Sequence, residues 1–165
     1  MNENLAGNPT ENLTRAATAE AIADGPGSVI TLLTDTPELT CNTASFEIGA
    51  AGAPVHFHTK ATEFFHVTDG QLDVLVGDEI HTLSKGDFIT VPPGVKHAFA
   101  PAAGHTAEVF VGFTPGMARF DYYRLLGRVA AGEGTVQDII DSQPTYDNHY
   151  AESEAWAGRP RSADA

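Results

Sequence analysis

His56 and His58 stand two residues apart in the run Val55-His56-Phe57-His58, and in an extended chain side chains at that spacing leave one face about 7 Å apart at the backbone. Two imidazoles so placed can converge on one ion. Glu63 follows five residues after His58, and His97 comes just after the turn Pro92-Pro93-Gly94. Three neutral imidazoles and one carboxylate carried on strands form a ligand set that leaves coordination positions open for water, substrate or dioxygen. A His-x-His pair alone is more often packing or surface histidine. The whole pattern departs from that: Gly49, six residues, His56-x-His58, four residues, Glu63, six residues, Gly70, then fifteen residues, Gly86, five residues, Pro92-x-Gly94, two residues and His97.

The elements that must position these residues are short β-rich runs divided by turn residues: Ser28–Leu33, Ala44–Ile48, Phe64–Thr68, Leu72–Val76, Glu79–Leu83, Phe88–Val91, His97–Ala100 and Ala107–Phe113. Their spacing suits an all-β sandwich or barrel. Asp69-Gly70 and Gly77-Asp78 are expected as two-residue hairpin turns, and Pro93-Gly94 as a type II turn ending the Phe88–Val91 strand. In a strand begun at Glu63, Phe65 shares the parity of the carboxylate and His66 faces away. His81, His105 and His149 are expected in solvent, as is the acidic run from Asp147 to Glu154. After Pro115-Gly116 the period becomes helical, with Tyr122, Leu125, Leu126 and Val129 on one face from about Met117 to Ala131. Thr135 and Asp138 form a capping pair for a further short helix through Ile140. Three segments result: an N-terminal arm over 1–24, a β-barrel over 25–115, and a helical segment with a frayed tail over 116–165.

The glycine, histidine, glutamate and proline spacing from Gly49 to Pro101 resembles the two signature motifs of the cupin superfamily. It departs from them in the Gly49 to His56 gap, one residue longer than usual, and in Pro101, where the second motif often ends in Asn. The resemblance implies a single double-stranded β-helix, or jelly-roll, barrel with a C-terminal helical appendage. It also implies His56, His58, Glu63 and His97 as ligands of one divalent transition metal: nickel, cobalt, manganese, iron, copper or zinc. Glu-Phe-Phe four residues after the histidine pair, one compact barrel and the segment Tyr146-Asp147-Asn148-His149-Tyr150 look similar to small quercetinase-type flavonol dioxygenases. That likeness implies cleavage of a flavonol by dioxygen with release of carbon monoxide, the substrate hydroxyl on the metal and Glu63 as ligand and general base. Phe65, Phe99 and Phe110 are the expected walls of an aromatic substrate pocket. Two other readings stay open: a zinc-dependent non-oxidative enzyme, such as a polyketide cyclase or isomerase, and a small-molecule binding module.

Composition narrows the partners. The 165 residues include 22 acids against 9 bases, a net charge of −13 that repels nucleic acid phosphates and anionic membrane surfaces. Cys41, the sole cysteine, excludes an intrachain disulfide and is expected as a small buried hydrophobe. The opening residues lack the basic start and apolar run of a secretory signal, and a cytoplasmic protein is expected. A small aromatic substrate and dioxygen are the expected small-molecule partners. The apolar face of the helix after Gly116 needs cover, as a lid on the barrel mouth or in a homodimer.

Overall fold

The computed structural model describes residues 13–161. Among these, antiparallel pairing joins ten strands: β1 (Ala21–Gly25), β2 (Ser28–Asp35), β3 (Thr40–Phe46), β4 (Ala53–Phe57), β5 (Thr62–Val76), β6 (Glu79–Ser84), β7 (Phe88–Val91), β8 (His97–Pro101), β9 (Ala107–Thr114) and β10 (His149–Tyr150). Four helices accompany them near the C-terminus: α1 (Phe120–Ala130), α2 (Val136–Asp141), α3 (Gln143–Tyr146) and α4 (Glu154–Ala157). The fold is mostly β with a helical appendage, as the sequence predicts. Of the expected arm, 1–12 lie outside the described residues, and Ala21–Gly25 already pairs with β2.

The sheet curls into a half-barrel because β5 belongs to both of its faces. Its first half, Thr62–Gly70, pairs with β9 and β7, and its second half, Gln71–Val76, lies between β6 and β8. The hairpin expected at Asp69-Gly70 is therefore absent, and the two runs on either side of it are one strand. Gly70 has φ 73°, and a Cβ there would meet the Thr106 carbonyl oxygen at 2.0 Å. Its conformational freedom bends the strand from one face to the other without reversing it. Gly77-Asp78 does reverse the chain, with Val76 paired to Glu79 across it.

Alternation along β5 and β9 packs the interior: Phe65, Val67, Leu72 and Val74 meet Val109, Val111 and Phe113 in one buried cluster. A second cluster joins Ile22, Ile30 and Leu32 of the outer strands to Tyr122 and Tyr123 of α1. The helix therefore finds its apolar partner in its own chain, and a side-chain carbon at Gly127 would touch Ile22. The capping pair forms as expected, Thr135 and Asp138 each receiving the other's backbone N–H at the start of α2.

The last residues depart from the expected frayed tail over 151–161. Ser153 caps α4, and Trp156 packs against Val55, Leu75, Ala98 and Ala100, with the Arg159 guanidinium 4.1 Å over its ring. One large aromatic side chain with a shallow apolar floor to cover is enough to hold this short segment.

Candidate metal centre

β4 and β8 lie side by side with His56 opposite His97 in register, and His58 follows just beyond the end of β4 on the same face. Glu63 enters from the second position of β5, which pairs with Phe113 on one side and Val91 on the other. The structure brings all four side chains together at the floor of the half-barrel, where Glu63 is 2% exposed and His97 1%. The imidazole centroids are 4.3 Å apart for His56 and His97, 4.9 Å for His56 and His58, and 5.2 Å for His58 and His97.

Backbone carbonyls orient each ring. Nδ1 of His56 donates to Pro54 O at 2.7 Å, that of His58 to Asp147 O at 2.7 Å and that of His97 to Val95 O at 2.9 Å. A carbonyl only accepts, so each Nδ1 carries a proton and Nε2 faces the cluster, where a protonated Nε2 donates to Glu63 and an unprotonated one is the nitrogen a metal would take. Glu63 Oε2 lies 3.0 Å from Nε2 of His58 and 2.5 Å from Nε2 of His97.

Burial opposes ionisation of Glu63, yet the charge of His97 and hydrogen bonds from both rings outweigh it and hold the carboxyl well below its usual range. His97 shows the reverse balance, with burial pulling it down and Glu63 raising it above the ordinary imidazole value. His56 is held well below that value by burial and by the two neighbouring rings. Glu63 and His97 thus favour each other's charged forms. The four donor atoms all lie within 4.8 Å of one another. Donors about 2.0–2.2 Å from a common ion sit at most a little over 4 Å apart, so the set fits a divalent cation after small side-chain shifts.

A cavity of 240 Å³ opens above this floor, and Glu63 and His56 form part of its wall. Phe99, Tyr122, Tyr123 and Leu126 supply its apolar lining, and α1 roofs it. The same helix thus both packs on β1 and β2 and lends Tyr122, Tyr123 and Leu126 to the cavity wall. A larger groove of 790 Å³ between Gly49–Gly52 and the tail around Trp156 contains none of the four clustered residues.

The expected pocket residues separate. Phe99 lines the cavity, whereas Phe65 is wholly buried beneath it, 4.8 Å from the Phe99 ring and 6.4 Å from that of His97. Phe110 does not line it: Val109, Val111 and Phe113 take the inward positions of β9, which sends Phe110 outward to Phe64, whose ring also meets Phe88. His66 faces outward beside Phe88, as its parity predicts.

Several contributors lie outside the residues the sequence assigns to the site. Asp147 was expected in solvent, but its carboxylate accepts from the backbone N–H of Thr59 and Lys60 and from the Thr59 hydroxyl, locking the segment that follows His58. His149 was expected in solvent too. It stacks on Phe57 and contacts Asp147, while β10 pairs with β4 at His149–Phe57 and Tyr150–His56. Arg119 and Asn148, both buried, line the cavity as well.

A family model described as the cupin domain matches residues 42–113, which span β3 to β9 and include all four clustered side chains. An RmlC-like cupin from Shewanella frigidimarina is similar at 27% identity and a TM-score of 0.59, covering 67% of this chain and 94% of that one. KdgF from Halomonas sp. is 25% identical with a TM-score of 0.55, over 61% of this chain and 92% of its own. The polyketide cyclase RemF from Streptomyces resistomycificus, 18% identical with a TM-score of 0.53 over 62% of this chain and 78% of that one, shares the fold. No curated protein matches the chain. None of the described helices is long and apolar enough to cross a membrane.

Proposed function

We propose that this chain, whose residues 42–113 form a cupin domain, is a metal-dependent dioxygenase that takes an enol or phenol hydroxyl of a flavonol-like aromatic substrate to the four-residue centre. The observation that carries this reading is the placement of Glu63: a buried carboxylate, held ionised by His58 and His97, in the wall of a mainly apolar cavity. A divalent ion held by His56, His58, Glu63 and His97 would supply Lewis acidity toward the hydroxyl and, if redox-active, toward dioxygen chemistry. Glu63 is placed to receive the hydroxyl proton at Oε2. Phe99 and the α1 tyrosines give the site an apolar wall, and the Nδ1 bonds of the three histidines keep their rings from turning.

The test is dioxygen uptake with quercetin, using protein stripped and reloaded with nickel, cobalt, manganese, iron, copper or zinc at matched occupancy. Uptake with a redox-capable metal that disappears in Glu63→Gln is expected. No uptake with any metal at full occupancy would overturn the dioxygenase reading. A non-oxidative cyclase or isomerase has one observation in its favour: 240 Å³ is compact beside the roughly 300–1,000 Å³ of typical small-molecule sites, which suits a smaller enol. Turnover of such an enol by the zinc form without dioxygen would select it. A ligand returned unchanged from every metal form would leave a binding module.

A further inference from the structure

Arg119, the residue before α1, is 3% exposed and lines the same cavity as Glu63 and His56. Its guanidinium donates from Nη1 to Tyr146 O at 3.3 Å and from Nη2 to Asn148 Oδ1 at 2.9 Å, both neutral acceptors. Its Nε has no hydrogen-bond partner. The ring of Tyr122 lies 4.4 Å from the guanidinium carbon, Phe113 5.2 Å and Tyr123 5.6 Å. Among the described residues no carboxylate comes within ion-pairing distance of it, although Arg124, Lys96 and Lys85 at the surface all have one.

A permanent cation withdrawn from water is costly unless a charge answers it, and aromatic faces with two neutral acceptors answer only part. The cavity's other carboxyl outside the cluster, Asp24 on β1, has an unpartnered Oδ1 and is pushed toward its neutral form by burial. Arg119 is close enough to the centre for its charge to disfavour protonation of His97. A filled metal site would add positive charge to the same space.

We propose that Arg119 is the anchor for an oxyanion, a carboxylate or an ionised phenol, carried by the substrate in addition to the hydroxyl that meets the Glu63 centre. The substrate class is therefore an aromatic or enolic compound that carries a second acidic group, a carboxyl or a further phenol. A planar fork with unused N–H groups suits an oxygen pair, and an apolar surround strengthens the contact. The assignment rests on the cavity being the substrate site.

Its test uses binding, not turnover. Salicylate and salicylamide share a ring and a phenol and differ in the charge of the second group, and titration calorimetry compares them on the metal-free and the zinc-loaded protein. Salicylate is expected to bind at least about tenfold more tightly than salicylamide in both forms, with the preference lost in Arg119→Gln and partly kept in Arg119→Lys. Equal affinities in the wild-type protein, an unchanged preference in Arg119→Gln, or no binding of either compound would each overturn the anchor. The wild-type comparison stands even if a variant fails to fold. Zinc content, measured on the same samples, reports separately on the four-residue centre, so loss of the anchor and loss of the proposed function are told apart.

Discussion

Replacing His97 by alanine is expected to remove most bound metal, whereas His66→Ala should leave metal content unchanged, because the two rings project to opposite faces of the half-barrel. Elemental analysis after dialysis reads both, and equal losses would contradict that placement. Glu63→Gln keeps the shape but removes a charge and a base, so partial metal retention with turnover largely lost is expected in the same assay paired with oxygen uptake. At this scale the sequence was most legible where residue types announce themselves. The histidines and Glu63 could be gathered from spacing together with the resemblance to the cupin motifs. Arg119 could not, since one arginine ahead of a helix looks like surface until Phe113, Tyr122 and Tyr123 are folded around it. Phe110 was misplaced although β9 itself carries the information: Ala107, Val109, Val111 and Phe113 alternate, and Phe110 falls between them.

Strands were legible as runs of β-rich residues, and their joins were not. Asp69-Gly70 has hairpin chemistry, but positive φ serves a bend between sheet faces equally well, and the choice depends on β8 and β9 arriving on either side. Gly70→Ala should accordingly cost at least about 2 kcal/mol, since a Cβ at φ 73° faces the Thr106 carbonyl. A melting temperature lowered by roughly 5 °C or more would register it, and an unchanged one would refute the corner role. Asp147→Ala removes the acceptors of two backbone N–H groups and leaves alanine at φ 48°. The loop behind His58 should loosen, lowering metal affinity about tenfold in chelator competition, with Asp147→Asn restoring part of it.

The molecule as a whole is closed by its later residues. The α1 face that the sequence left in need of a partner is met by Ile22, Ile30 and Leu32, so pairing of two copies no longer follows from it. The homodimer expectation rests instead on the outward aromatic strip of Phe64, Phe88 and Phe110, where Phe88 is 58% exposed. Sedimentation of the intact chain at twice 17.4 kDa would support it, and sedimentation at 17.4 kDa would end it. Trp156 has a role that composition hid, and Trp156→Ala should destabilise the fold by about 3–5 kcal/mol in thermal or denaturant unfolding. The strand β10 has a further consequence for how the protein is made. His58 meets the Asp147 carbonyl across 89 positions of chain, and His56 pairs with Tyr150. The centre therefore stays unfinished throughout most of synthesis: a ribosome that has delivered every ligand by residue 97 must still release some fifty more residues before the last ring is braced. Full-strength metal capture by the nascent chain is thus expected only once Asp147 and Tyr150 have emerged.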